Sequence, residues 1–186
     1  MQETLKERLL PLFPMEDGSM TVRVPAIQEL MEFYEATRSD DLRRMTCRPT
    51  RILDAATMHR RLLSRLNDPN SLLLGVFSEN RIAARISLND YNPRNRSVEI
   101  GYWTSPDFRG QGWMRRALKL VCPALLRGGL NKLMVQTGAF NRASLKLMHS
   151  LGFREDGRLR EHHEMDGVLY DDVLFSLTAK DLRTRG

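Results

Sequence analysis

A chain of 186 residues, 41% hydrophobic and 28% charged with 12 Gly and 8 Pro, has the length of a single domain (1–186), and its composition excludes a disordered or collagen-like polymer. The formal charge of +6, with 24 Arg among 29 basic residues, favours anionic partners, but the basic residues are dispersed and aromatics are only 7%, so direct nucleic-acid binding is not expected. Cys47 and Cys122 form no Cys-x-x-Cys pair, no apolar run nears the roughly 20 residues of a membrane-spanning helix, and Met1–Arg8 is charged where a signal peptide turns apolar; a soluble, cytoplasmic protein with no membrane contact is expected.

In chain order, Leu9–Phe13 and Met20–Val24 flank the turn pair Asp17-Gly18 and predict an opening hairpin or strand. Pro25 suits a helix's first turn, and Ile27, Leu30, Met31 and Tyr34 recur at helical spacing. Met58, Leu62 and Leu66 form a second stripe after Asp54, a candidate N-cap. Ser71–Phe77 and Arg81–Leu88 read as an antiparallel hairpin, and Ser97–Trp103 as a third strand. A helix follows the Gly110/Gly112 loop, with Met114, Ala117, Leu118 and Val121 on its apolar face and Pro123 expected to kink or shorten it. Asn131–Thr137 is a short strand, Leu145, Met148 and Leu151 mark a helix that Gly152 ends, and two closing runs follow, punctuated by Asp156-Gly157 and Asp166-Gly167. This order describes one mixed α/β layer structure, not an alternating doubly wound fold.

The most informative stretch runs from Ile100 to Met114, a strand and then a glycine-containing loop that opens a helix. Such a junction suits an anion: the first-turn N–H groups lack partners, the helix end carries partial positive charge, glycine admits close approach, and Arg109 supplies a fixed charge. It is neither Gly-x-Gly-x-x-Gly nor a Walker loop, which lowers dinucleotides and nucleoside triphosphates as ligands. The adjacent His162 and His163 point to opposite faces of a strand and so do not share an ion, and no metal site is expected.

Arg109-Gly110-Gln111-Gly112-Trp113-Met114 resembles the R/Q-x-x-G-x-G/A pyrophosphate loop of the GNAT acetyltransferases. Asn141-Arg-Ala-Ser144, continuing to Leu151-Gly-Phe153, is similar to that family's Asn-x-x-Ser helix start and its Leu-Gly-Phe ending. The Ile-Gly-Tyr-Trp strand is typical of the ribosomal-protein N-terminal (Rim-type) branch. Met114 departs from the Gly or Ala usual at that loop position. The resemblance implies the GNAT α/β (α+β) fold, a single mixed, mostly antiparallel central sheet of about six to seven strands flanked by about four helices. It also implies a cofactor core at about 97–153, acceptor-side elements at about 20–70 and 154–178, and acetyl-CoA as the acetyl donor.

By the same resemblance, the backbone from Ile100 through Tyr102 and Trp103 to Thr104 pairs with the pantetheine arm. Arg109, Gly110, Gln111, Gly112, Trp113 and Met114 hold the pyrophosphate, and Asn141 hydrogen-bonds pantetheine. Ser144 lies by the thioester sulfur, where its hydroxyl can protonate the departing thiolate; the bland reading of Ser144 is a helix-start residue that satisfies a backbone N–H. Glu99, beside the cofactor strand, and Glu161 or Glu164, on the closing strands, are the candidate bases, each with the ordinary alternative of a paired or solvated strand position. The implied reaction is acetyl transfer to the N-terminal α-amine of a protein or peptide, ribosomal proteins included, and homodimers are common in the branch. Two alternatives stay open: a small amine (polyamine, amino sugar or aminoglycoside), served by a local patch of Glu161, Glu164, Asp166, Asp171 and Asp172, or an acyl-CoA sensor without turnover.

Overall fold

The computed structural model describes residues 3–37, 54–165 and 167–183; Cys47 and Asp166 lie outside them. The chain opens with a short helix, α1 (Leu5–Leu9), because Thr4 and Glu7 form a reciprocal capping box: Thr4 N–H donates to Glu7 Oε2 at 2.8 Å and Glu7 N–H to Thr4 Oγ1 at 3.2 Å. Leu9–Phe13 is therefore not a strand. The opening hairpin instead pairs β1 (Met15–Asp17) with β2 (Met20–Arg23) around Gly18, so the turn lies where the sequence predicts and the first strand is displaced.

The remaining elements are α2 (Ile27–Thr37), α3 (Ala55–Asn67), β3 (Leu72–Ser78), β4 (Arg81–Asn92), β5 (Ser97–Thr104), α4 (Trp113–Arg127), β6 (Lys132–Gly138), α5 (Arg142–Leu151), β7 (Arg154–Met165), β8 (Val168–Thr178) and α6 (Ala179–Arg183). The eight strands form one sheet in the order β1-β2-β3-β4-β5-β6-β8-β7. The described residues thus hold slightly more strands than expected and six α-helices instead of about four, the extra helices being the short terminal α1 and α6.

The sheet is buried on one face by α4, whose Met114, Ala117, Leu118, Val121, Cys122, Leu125 and Leu126 join Leu74, Ile86, Ile100, Leu133 and Phe175 in the main core. Burying a stripe of this kind stabilises the fold by roughly 1.5–3 kcal/mol per large apolar side chain. α4 runs through Pro123 without ending, its buried face held against the sheet on both sides of the proline. On the opposite face a smaller core forms from Leu30 of α2, Leu62 of α3 and Leu73 of β3. Asp54 caps α3 by accepting from Thr57 N–H at 2.8 Å, as its position before the stripe predicts. Among the described residues no helix is long and apolar enough to cross a membrane.

Every neighbouring pair of strands is antiparallel except β5 and β6, which run parallel. Their ladder covers only Ser97↔Lys132, Val98↔Leu133 and Glu99↔Met134, after which β5 continues to Thr104 and β6 to Gly138 unpaired with each other. The sheet therefore opens into a wedge from Ile100 onward. Each side of the wedge keeps its outer neighbour: β4 still pairs β5 up to Thr104, and β8 still pairs β6 up to Gly138.

Candidate functional site

The wedge leads directly into the glycine loop. β5 ends at Thr104, a turn of 3-10 helix covers Pro106–Phe108, and α4 begins at Trp113 with Gly112 as its N-cap. Gly110 and Gly112 have φ of +73° and +80°, a backbone region that side chains strain to adopt, and a Cβ at either would meet nothing within 4 Å. No side chain caps α4. The loop thus leaves the helix's first turn uncapped by any side chain and open space beside both glycines, which suits a phosphate.

Side chains brace this loop from behind. Gln111 donates Nε2–H to the Asp107 carbonyl at 2.7 Å and accepts from the Trp113 indole at 3.4 Å, and Trp113 meets Phe108 edge to face at 5.6 Å. The Arg109 guanidinium lies 4.6 Å from the Trp103 ring centre, and its Nε–H donates to the Thr104 carbonyl at 3.4 Å. It is therefore ordered at the junction of strand and loop, with its charge beside the wedge. Met114 turns its side chain into the core and is only 6% exposed, so the bulk that departs from Gly or Ala does not enter the loop's open side.

At the wedge's other flank, Asn141 caps α5: its Oδ1 accepts from Ser144 N–H at 3.1 Å. Since Asn141 is the cap, the Ser144 hydroxyl is not spent on a helix N–H. It lies instead 2.5 Å from the Tyr102 hydroxyl, with Ser144 buried. Burial pushes the Tyr102 phenol up to about 12, against a smaller lowering by its bond to Ser144, so the phenol stays protonated at neutral pH. This pair spans the wedge on the α4/α5 face, because Tyr102 shares the strand parity of Val98 and Ile100 in the main core. A hydroxyl role for Tyr102 is absent from the sequence reading, where its backbone alone is assigned; the pairing joins residues 42 positions apart and has no local signal.

The candidate bases separate. Glu99 is half-buried at the last β5–β6 rung, opposite Asn89 of β4. Glu161 is exposed with φ of +48° inside a bulge, where Arg160, Glu161 and His162 on β7 stand against Asp171 alone on β8. Glu164 is exposed and accepts from Gly167 N–H at 2.6 Å across the hairpin end.

Beyond the bulge the structure pairs His163 with Asp172, residues that the sequence names separately, as a histidine pair and in an acidic patch, but does not join. Asp172, fully buried on β8, lies with its Oδ1 2.8 Å from His163 Nδ1 and accepts from Gln136 Nε2–H at 2.6 Å through Oδ2. The His163 side chain is 9% exposed, stacked on Tyr170 at 5.7 Å and 5.9 Å from Phe140. The carboxylate lies off the imidazole's N–H direction, so this is a close contact without an aligned hydrogen bond, and both ring nitrogens and Asp172 Oδ1 are buried without a hydrogen-bond partner. Strand parity puts Asp172 and Gln136 on the face opposite Tyr102 and Ser144.

The family model of the acetyltransferase (GNAT) domain matches residues 19–154. The chain belongs to this family of acetyltransferases. Among its relatives, "Putative ribosomal N-acetyltransferase YdaF" of Bacillus subtilis (strain 168) is 30% identical over 115 residues, 61% of this chain and 63% of that protein. The ribosomal-protein-serine acetyltransferase of Escherichia coli (strain K12) is 29% identical over 99 residues, 53% of this chain and 55% of that protein. The matched stretches thus span less than two thirds of either relative. A solved structure of RimL, a ribosomal L7/L12 α-N-protein acetyltransferase in complex with coenzyme A, superposes with a TM-score of 0.81 over 89% of this chain and 97% of that one at 17% identity, a likeness of fold.

Proposed function

We propose that this protein transfers an acetyl group from acetyl-CoA to a primary amine, with the N-terminal α-amine of a protein or peptide as acceptor. The observation that carries the reading is the wedge between β5 and β6, which runs from the glycine-capped start of α4 to the Tyr102–Ser144 pair. The residues fit a coenzyme A thioester: Gly110 to Met114 offer backbone N–H groups to a pyrophosphate, and β5 from Ile100 to Thr104 faces the wedge with edge groups that β6 does not take. In this reading 97–153 form the donor core, and 20–70 with 154–178 form the acceptor side of a single domain.

Chemistry then asks little of the protein. With reference pKa values of about 7.7–8.0 for α-amines and 10.4 for lysine, roughly a third of the former but only about a thousandth of the latter is neutral near pH 7.5. A neutral amine attacks the thioester carbonyl directly, and a β5 backbone N–H near Tyr102 or Trp103 stabilises the oxyanion. Ser144 gives its proton to the departing sulfur, and the Tyr102 phenol, still protonated, supports the serine oxygen.

Two relatives named for ribosomal substrates support a ribosomal-protein acceptor, a reading that would put the protein in the cytoplasm. Two of the carboxylates that would make a polycation site are engaged otherwise: Asp171 accepts from Glu161 N–H at 2.9 Å and faces Arg158 at 3.5 Å, and Asp172 is buried against Gln136 and His163, while Glu161 and Glu164 are exposed. The deciding experiment is thiol release from acetyl-CoA with free-N-terminus peptides and small amines in parallel, products located by mass. Turnover on peptides with the acetyl group on the α-amine supports the proposal. Turnover on small amines alone moves the acceptor, and tight donor binding with no turnover on either set makes the protein a sensor.

A further inference from the structure

We infer that His163 is the base that takes the acceptor amine's proton, and that buried Asp172 is the positioning residue that orients it; this rests on the acetyl-transfer reading. Asp172 is fully buried, and Gln136 fixes one of its oxygens at 2.6 Å while the other lies 2.8 Å from His163 Nδ1. His163 Nδ1, His163 Nε2 and Asp172 Oδ1 are buried without aligned partners, an arrangement that is destabilising until a group arrives to satisfy them. A ligand that aligns the ring lets Nδ1–H donate to the carboxylate, which leaves Nε2 with a lone pair, the form a base requires. Hydrogen bonds at reactive centres are often poorly aligned until substrate is bound.

Position supports the assignment. Asp172 pairs with Gly138, the last residue of β6, where the wedge is widest. Phe140, in contact with the His163 ring, directly precedes Asn141, whose helix carries Ser144. The two hydroxyls lie on one face of the sheet and the His163–Asp172 pair on the other, so the thioester is reached from both sides: sulfur from Ser144, amine from His163. The bulge at Arg160–His162 sets this register, since across it His163 comes opposite Tyr170 with Asp172 on the same face. Among the described residues the ionisable groups in contact with His163 are Asp172 and Tyr170; Asp171, on the other side of β8, is held by Arg158 and the Glu161 N–H.

The step balances without a further reactant. The amine's lone pair forms the C–N bond and one nitrogen proton passes to His163 Nε2. The C–S bond breaks with its electron pair on sulfur, which takes the Ser144 proton; both ring nitrogens are buried in the free protein, so the imidazole that has turned to meet the amine gives its proton to solvent as product leaves, and solvent restores the serine.

The test compares wild type, His163→Gln, His163→Gly and Asp172→Asn with acetyl-CoA and an acceptor peptide that wild type turns over. His163→Gln should lower kcat about 10²-fold, within the range for general-base loss, leave the acetyl-CoA dissociation constant within twofold, and flatten the limb of the rate profile that rises with pH. Added imidazole should restore part of the His163→Gly rate. In donor-bound enzyme, long-range 1H–15N spectra should show His163 protonated on Nδ1 when neutral, and Asp172→Asn should shift protons to Nε2. A kcat within twofold of wild type for His163→Gln with an unchanged pH profile overturns the inference while leaving the acetyltransferase reading intact. A wild type that binds acetyl-CoA but acetylates no amine overturns that reading, and the inference with it.

Discussion

The two flanks of the wedge are built by different means. On the donor flank, β5, the glycine loop and the start of α4 present backbone: unpaired strand edge, positive-φ glycines and an uncapped helix end. On the opposite flank, the β7–β8 hairpin presents side chains, with His163, Asp172 and Gln136 drawn from three strands and set in register by a bulge. A backbone site depends on a few residues at fixed offsets, whereas a side-chain site depends on register and burial across the sheet. The first should tolerate change poorly at glycine and well elsewhere; the second should respond to conservative swaps at distant positions.

The largest expected effect is on the donor flank. Gly112→Val sets a β-branched residue at φ +80°, straining the loop in free and bound protein alike, and puts its bulk where a phosphate would approach; that obstruction should weaken acetyl-CoA binding about 10–100-fold by calorimetry. Unchanged affinity would remove the backbone cradle from the account. Arg109→Ala loses one charge and its stacking on Trp103, and about tenfold weaker binding should accompany a change in tryptophan fluorescence. Ser144→Ala separates chemistry from binding: kcat should fall about tenfold, the size of one lost hydrogen bond, with the donor dissociation constant unchanged. A turnover number equal to wild type would leave the buried hydroxyl pair as packing.

The smallest effect tests how firmly the hairpin is anchored beside β6. Lys132 Nζ lies 2.7 Å from Asp156 Oδ2, and Ser176 donates to Asp156 Oδ1 at 2.9 Å; the bond from Lys132, first, then that from Ser176, hold the carboxyl below its usual range. A lowered folded-state value adds stability above the unfolded carboxylate's pKa of about 3.9 and loses it as pH falls through the folded value. Asp156→Asn should therefore cost about 0.5 kcal/mol in urea unfolding at pH 7, and the difference should fade below about pH 4. A difference that persists in acid would trace the cost to packing and not to charge.

The same contrast explains what the sequence makes legible. Gly110, Gly112 and Gly152 act through their own backbone and Asn141 through a side chain that caps three residues on, so the loop, the α5 cap and its left-handed end at φ +80° are visible in local chemistry. The stripes of α2 and α3 are equally readable, because Leu30 and Leu62 need only a helical period to find the sheet. The first strand is misread because the apolar run Leu9–Phe13 outweighs the quieter capping box at Thr4 and Glu7, which starts α1. On the β7–β8 side the bulge leaves Glu161 exposed at φ +48° and sets His163 against Asp172, a juxtaposition that local sequence does not display. No single-sequence pattern reports an insertion of that kind, since Arg160 to His162 read as ordinary strand.

The three-rung contact between β5 and β6 makes the protein two antiparallel blankets joined by a short seam. β1 to β5 hold one another and β6 to β8 hold one another, while across the wedge the backbones of Ile100–Thr104 and Val135–Gly138 have no strand between them. Whatever lies along that edge acts as a zip as well as a guest: it supplies the cross-links the sheet lacks, so occupancy and cohesion of the two blankets rise together. At a ligand concentration 100 times its dissociation constant, mass action adds about 2.7 kcal/mol to the folded state. The seam thus makes the resistance of this fold to opening a gauge of the donor pool around it.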